Sequence, residues 1–429
     1  MKISVFWFRR DLRLNDNKAL EEAIKSGMPI LPVFIFDELI LNELPKDDAR
    51  VSFIYQNLEK LNKELIKYGS SLLCLKGKPT EIWQQLTSKF EIESVFLNRD
   101  YEPYAIRRDN EIKAYLSEKG IGFFTFKDQV IFEENEILKE DGNPYTVFTP
   151  YKNKWLKKFN SKELKSNKLK DVSSFHQINI PFPSLKELGF VASHIKVRDY
   201  DLSAVDQYSE VRNFPAMDKT SYLSPHLRFG TVSIREVLLQ FNLENESFLS
   251  ELIWREFFMQ ILFHFPHVVQ DNFKAKYDGI KWNQNEDDFK KWCEGKTGYP
   301  IVDAGMRQLN ESGYMHNRVR MITAGFLCKH LLIDWRWGEA YFAMKLLDYE
   351  LSSNNGNWQW AAGTGCDSAP YFRIFNPMEQ VKKFDKELKY INTWVKDLNS
   401  FDYPEPMIEH KFARKRALEA YKIGLSDRF

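Results

Sequence analysis

Met1-Lys2-Ile3-Ser4-Val5-Phe6-Trp7-Phe8-Arg9-Arg10-Asp11 decides how the first third of this chain is read. A secretory or twin-arginine signal carries its cations before the apolar stretch. Here the order is reversed, so the segment reads as a first β-strand and its exit loop. Four more short apolar, β-rich runs follow at 30–36, 71–75, 94–98 and 122–126. Near-continuous runs of this kind belong to strands buried on both faces of a parallel sheet. Amphipathic segments near 18–26, 48–68, 80–90 and 104–119 predict the intervening helices, with Asn15, Asp16 and Thr80 as N-caps. The alternation predicts a doubly wound, Rossmann-like α/β domain over residues 1–130. Neither GxGxxG nor GxxxxGK[ST] occurs in it, and fold alone names no ligand.

Outward from that domain, residues 131–199 read as a connector. Its middle is rich in lysine: Lys152, Lys154, Lys157, Lys158, Lys162, Lys165, Lys168 and Lys170. From Tyr200 the apolar period becomes helical, at 247–265, 302–312, 319–332 and 337–347. Clusters of Gly, Pro and Asn at 295–300, 353–357 and 361–370 punctuate these segments. Residues 200–429 are therefore expected to form an all-α domain.

Composition narrows the function. The 429 residues carry a net charge of +1, so a nucleic-acid surface here must gather its cations on one face. Four scattered cysteines, Cys74, Cys293, Cys328 and Cys366, include no CxxC pair and no metal-ligand spacing. They read as reduced thiols, and no metal is expected. No run approaches the ~18 apolar residues of a membrane helix, so the expected location is cytoplasmic. Aromatic residues reach 15%, a high share.

Those aromatics concentrate where chemistry is expected. Asn354-Asn355-Gly356-Asn357-Trp358-Gln359-Trp360, with Trp335 and Trp282, suits a flat π-system held by amides and reached by an aromatic electron path. That combination points to flavin photochemistry. Thr220-Ser221-Tyr222-Leu223-Ser224-Pro225 offers hydroxyls before a helix, suited to a pyrophosphate or to N-capping. Glu251 and Arg255 lie four apart beside Trp254 and Phe258. A surface salt bridge is one reading of them; buried charges awaiting a ligand are the other. Met315-His316-Asn317-Arg318-Val319-Arg320-Met321 turns Arg318 and Arg320 in different directions. Asp348 and Glu350 supply acceptors for Arg320 and for the donors of a flavin ring. Arg212 and Arg373 complete a candidate cationic rim.

These blocks resemble the photolyase and cryptochrome flavoproteins, and among them class I photolyases of cyclobutane pyrimidine dimers. Residues 7–14 with Asp16-Asn17, 148–151, 298–304, 315–323 and 354–360 occur in the family's order from end to end. The resemblance implies a helical FAD-binding domain after an α/β antenna-type domain. It implies FAD contacts at Tyr208, Thr220, Ser221, Leu223, Ser224, Glu251, Arg255, Arg320, Asp348, Glu350 and Asn354. Trp358, Trp335 and Trp282 would relay electrons to the flavin. Glu251, Trp254, Asn317, Met321 and Trp360 would line the lesion pocket, as catalytic residues. Arg212, Trp254, Asn317, Arg318, Arg373 and Gln380 would contact DNA. The partner expected is DNA containing pyrimidine dimers, with no membrane and no obligate protein partner, and the enzyme is expected to be a monomer.

Departures refine the expectation. Six-four photolyases carry histidines where Asn317 and Met321 stand, and cryptochromes of the DASH type carry Tyr where Trp360 stands. No signalling tail is expected beyond Phe429. Glu350 replaces the Asp of many relatives. The folate-antenna pattern is not matched at Tyr104-Ala105 or Val268-Val269, leaving a flavin, deazaflavin or lumazine antenna, or none. The alternatives are a cryptochrome-type photoreceptor without repair and a flavin electron-transfer protein without a DNA role.

Overall fold

Every residue of β1 (Ile3–Phe8) is buried, because the strand lies inside a parallel sheet with helices on both faces. The strands β2 (Ile30–Asp37), β3 (Leu73–Gly77), β4 (Ile92–Asn98) and β5 (Gly122–Phe126) complete it in the order β3-β2-β1-β4-β5. Val5 pairs with Leu31 on one side and Val95 on the other. Side chains along a strand alternate between faces. Phe6 and Phe8 accordingly join Leu20, Leu58, Leu61 and Leu65, from α1 (Lys18–Lys25) and α2 (Ala49–Lys67). Ile3, Val5 and Trp7 join Trp83, Leu86, Ile112 and Leu116, from α3 (Pro79–Lys89) and α4 (Pro103–Glu118). The doubly wound sheet is borne out, with boundaries shifted by a residue or two at β2, β3 and β4.

Two helix starts differ from expectation. The cap of α1 is Asn17, whose side chain accepts from Leu20 N. Asp16 sits one residue earlier with φ 47° and spends its carboxylate on an ion pair. At α3, Pro79 takes the first turn and Lys78 precedes it with no side-chain cap, so Thr80 lies inside the helix. Proline tolerates that position because its missing N–H is unneeded there.

The N-terminal signature folds into a closed polar network. Arg13 meets Asp128 at 2.6 Å, while Arg235 meets Asp16 and Asp128, each at 2.8 Å. Burial pushes the Asp128 carboxyl up, and Arg13 and Arg235 overcome this to hold it low. Nearby, Asp11 accepts from Arg9 N at 2.7 Å and from Asn98 Nδ2 at 2.6 Å. The sheet order reverses at β1 and β4, where ligands of such folds bind. A narrow crevice, too tight for a water molecule, lies there, lined by Arg9, Arg10, Asp11, Asn98, Asp100 and Gln129. Arg10 is tied to Asp100 at 3.1 Å and Glu102 at 3.2 Å.

The structure is a computed structural model that describes residues 1–169 and 172–426; Lys170 and Phe429 lie outside them. The chain forms two units, each discontinuous in sequence. The first is Met1–Glu136, Lys158–Tyr200 and Tyr222–Glu244; the second is Ile137–Lys157, Asp201–Ser221 and Asn245–Phe429. Residues 131–199, read as one connector, thus contribute to both. Phe175, from this stretch, is buried and bridged to Ile30 at the start of β2. In the helix α5 (Phe148–Lys158), Trp155 is buried and donates to Glu256 at 2.7 Å.

The first unit also contains the short α6 (Leu223–Phe229). The second is helical, with α7 (Glu246–His264), α8 (Asn317–Gly325), α9 (Trp335–Lys345) and α10 (Leu351–Ala362) positioning the site. One helix expected over 319–332 ends at Gly325 and continues as a π-helix, Phe326–Leu331. Its buried Lys329 donates to Ala362 O at 2.6 Å and lies 3.7 Å over the Tyr421 ring. Residues 353–357, read as punctuation, lie inside α10. Asn357 donates within the helix to Ser353 O at 2.8 Å, whereas Asn355 reaches Val268 O at 2.8 Å, an oxygen that also accepts from Gln359 at 3.0 Å. Among the described residues, no helix is long and apolar enough to cross a membrane, and no cluster of three metal-ligating side chains occurs.

Candidate active site

Glycine lets α10 approach its neighbours closely. A Cβ on Gly356 would stand 2.2 Å from the Phe258 ring of α7, and one on Gly338 of α9 would stand 2.1 Å from the Trp358 ring. These contacts bring α7 against Gly356 and α9 against Trp358, two residues further along α10. The start of α10 then gathers the charges. Arg255 Nε of α7 lies 3.5 Å from Glu350 Oε2, and Arg320 Nη2 of α8 lies 2.9 Å from Asp348 Oδ2. Glu350 also accepts from Ser353 Oγ at 3.3 Å. Asn354 Nδ2 donates to the Glu339 carboxylate at 2.8 Å and to the Glu339 backbone oxygen at 3.1 Å. Arg255, Arg320, Asp348, Glu350 and Asn354 therefore converge.

Glu251 and Arg255 share a helix face but do not pair with each other. Glu251 instead meets Arg212 at 2.8 Å, with both side chains about one-third exposed. Burial pushes the Glu251 carboxyl above its ordinary value, and Arg212 opposes the shift. One turn on, Trp254 stacks on Phe148 with ring centres 3.7 Å apart and planes at 6°. It also lies 5.3 Å from Phe258, so aromatic neighbours fix its plane. Trp360 is half-buried near the end of α10, and Met321 is half-buried on α8.

The block 315–321 opens α8. Asn317 is exposed at the first turn. His316 caps the helix, its Nδ1 accepting from Arg318 N at 3.1 Å. Burial, with Arg318 and Arg320 nearby, lowers its pKa to about 4, so the ring is neutral near pH 7, as an accepting nitrogen must be. Arg318 and Arg320 do serve different partners. Arg320 Nε donates to Met315 O at 2.8 Å, while Arg318 bonds Asn213 and lies 4.5 Å over Phe384. Burial lowers the Arg318 pKa, and the fields of Arg212 and Arg373 lower it further. Those three cations therefore share one region, with Arg373 exposed. Gln380 lies on the helix Pro377–Phe384, which also carries Phe384.

The three tryptophans expected to relay electrons differ in burial. Trp358 is 2% and Trp335 1% exposed, whereas Trp282 is half-buried and meets Tyr421 edge-on at 5.9 Å. Tyr208 lies beneath the Arg212 guanidinium, 5.0 Å away, and burial raises its hydroxyl pKa. Thr220 and Ser221 are half-buried in the second unit; Leu223 and Ser224 open α6 in the first. Tyr222, with φ 50°, precedes α6 without a side-chain cap of its own. The sequence reading missed Glu339, His316 and Asn272. Their partners, Asn354, Arg318 and Trp335, were all singled out, but a sequence does not reveal which acceptor a fold turns toward a donor.

Comparison with known proteins sets this geometry in a lineage. Residues 4–170 match the family described as DNA photolyase, and residues 248–402 match the FAD binding domain of DNA photolyase. A protein of Agrobacterium fabrum named deoxyribodipyrimidine photo-lyase is 36% identical, over 97% of both chains. The crystal structure of a class III photolyase from Agrobacterium tumefaciens superposes with a TM-score of 0.87 at 34% identity, covering 99% of this chain and 98% of that one. An archaeal photolyase from Sulfolobus tokodaii, described with two FAD molecules and a novel light-harvesting cofactor, gives 0.84 at 34% identity, over 98% of this chain and all of that one. With near-complete coverage at this identity, the chain belongs to the DNA photolyase family.

Proposed function

We propose that this chain is a light-driven carbon–carbon lyase that repairs cyclobutane pyrimidine dimers in DNA with FAD as its cofactor. The observation that carries the reading is the interleaving of two residue sets on the same helices. Glu251, Trp254, Asn317, Met321 and Trp360 alternate with Arg255, Arg320, Asp348, Glu350 and Asn354 along α7, α8, α10 and the approach to α10. The second set offers guanidinium and amide donors beside carboxylate acceptors, which fits the mixed donor and acceptor edge of an isoalloxazine. Tyr208, Thr220 and Ser221 would hold the rest of the molecule. Bound FAD, reduced and excited by light, supplies the electron that opens the cyclobutane ring.

The chain's own residues do the remaining work. A fused dimer stacks and pairs poorly, so extruding it costs less than extruding a normal base pair. Trp254, held in plane by Phe148, and Trp360 give it aromatic surfaces, worth about 1–3 kcal/mol per stacked base. Glu251, with its pKa raised by burial, can hold a proton against a base carbonyl where negative charge develops. Asn317 and Met321 border the lesion. Arg212, Arg318, Arg373 and Gln380 hold the flanking backbone and make binding salt-sensitive. Asn354, anchored by Glu339, presents its amide to the flavin edge.

A second chromophore is not assigned to the crevice between β1 and β4. The crevice has no room for even a water-sized group, far short of the ~300 Å³ at which small-molecule sites begin, and the fit fails on size. A cryptochrome-type sensor would have no use for the lesion-lining set. The test is direct: ultraviolet-irradiated oligonucleotide mixed with the FAD-loaded protein should lose thymine dimers under blue light. Equal loss in the dark, or none in the light, rejects the proposal.

A further inference from the structure

Resting on the electron relay through Trp358, Trp335 and Trp282 that the family resemblance implies, we infer that Asn272 and Asp278 tune the middle tryptophan as positioning residues. The indole N–H of Trp335 donates to Asn272 Oδ1 at 2.9 Å, and Asn272 Nδ2 donates to Asp278 Oδ1 at 2.8 Å. Trp335 and Asn272 are buried, at 1% and 3% exposure, while Asp278 is exposed. Only one orientation of the amide serves both contacts, because a carboxylate takes no bond from a carbonyl oxygen and an indole N–H gives none to an NH₂ group. The carboxylate therefore orients and polarises the amide, and the amide turns its negative end to the indole.

This matters because another group acts in the opposite sense. The Arg336 guanidinium lies 4.7 Å over the Trp335 ring, with Asp334 at 3.1 Å as its counter-ion. A cation at that distance disfavours removing an electron from the ring. The hydrogen-bonded chain from Asp278 through Asn272 favours it, since a charge-assisted bond strengthens as the indole becomes positive.

The acceptor also governs the proton. An amide oxygen is too weak a base to take the N–H proton from oxidised Trp335, so the hole stays protonated and mobile. Bound flavin, oxidised and excited by light, would supply the electron acceptor for Trp358; Trp335 would refill Trp358, and Trp282 would refill Trp335. Half-buried Trp282 then releases its indole proton to water. The net change is one electron gained by the flavin, with one electron and one proton lost by Trp282.

Flash absorption on the FAD-loaded protein tests this. Asn272→Leu is expected to slow electron arrival at the flavin roughly tenfold, the rate equivalent of one lost hydrogen bond to a charged group, and Asn272→Gln to restore part of it. Asn272→Asp should place a base on the N–H and replace the protonated tryptophan radical by the deprotonated one, with less Trp282 oxidised. Asp278→Asn, at an exposed position, should slow the transfer about two- to threefold, as a partial loss of that bond. Wild-type rates and radical spectra in both Asn272→Leu and Asp278→Asn overturn the inference while leaving the relay intact. If Trp335→Phe also photoreduces at the wild-type rate, the relay itself fails, and the inference with it.

Discussion

Two sets of arginine–carboxylate pairs in this molecule behave differently. In the first unit, Arg13 and Arg235 meet Asp16 and Asp128, and every one of these side chains is 10% exposed or less. Charges there are matched two against two. In the second unit, Arg212 meets Glu251 with about 30% of each side chain open, and the fields of Arg212 and Arg373 act on Arg318. Three cations share the region of the Glu251 carboxylate. A closed, neutral network uses up its charge in holding loops together. An open network with surplus positive charge has charge left for a ligand. The more heavily bonded arginines are therefore the structural ones, and the less satisfied ones belong to the proposed site.

The sharpest way to break this contrast is Arg235→Ala. Removing one partner from a buried network leaves uncompensated charge, and a loss of about 3–5 kcal/mol in unfolding free energy is expected by denaturant titration. A loss under 1 kcal/mol would mean the network is not structural. Next comes Trp254→Ala. Affinity for dimer-containing oligonucleotide should fall by about 1–3 kcal/mol while flavin absorbance is retained; unchanged affinity would remove Trp254 from the lesion pocket.

Lys329 sharpens the comparison from a third side, as a buried cation held by a carbonyl and a ring. Burial lowers its pKa from 10.5 to about 7. Because the folded value lies below the unfolded one, the unfolded chain binds more protons between those limits. This group therefore makes stability rise as pH climbs from about 7 to 10.5, and the cost of burying the charge is fully present below pH 7. Stability curves of Lys329→Met should lack that rise; a parallel curve would show Lys329 to be uncharged or unimportant at all pH values tested.

The smallest effect is expected at Arg212→Ala. A partly exposed pair contributes about 0–1 kcal/mol to folding, so the melting curve should barely move. Binding to damaged DNA should weaken across sequences, and the slope of log affinity against log salt should fall by roughly one. A large stability loss with an unchanged salt slope would reverse the roles of the two networks.

Much of the fold was legible in the chain. Five apolar runs marked the five strands because a centre strand such as β1 must be apolar toward both faces. Trp282, Trp335, Trp358, Glu251, Arg320 and Asn354 were legible as residue types out of place in ordinary cores. Residues 353–357 were misread because asparagine and glycine favour turns when judged locally. In the fold, Val268 O accepts from Asn355, Glu339 accepts from Asn354, and Phe258 fills the space left by Gly356. Helix spacing suggested a Glu251–Arg255 pair; partners remote in sequence, Arg212 and Glu350, outcompeted it.

By itself, the sequence determined the architecture of strands and helices, the absence of metal-ligand spacing, and the chemical types gathered for the site. Periodicity and residue chemistry are local properties, carried by neighbours a few positions apart. Tertiary structure alone decided which charge meets which, that Asp16 serves an ion pair rather than a cap, and that Asn272 faces Trp335. Those choices depend on side chains brought together across dozens of residues, where desolvation penalises every polar group left unpaired and so selects its partner.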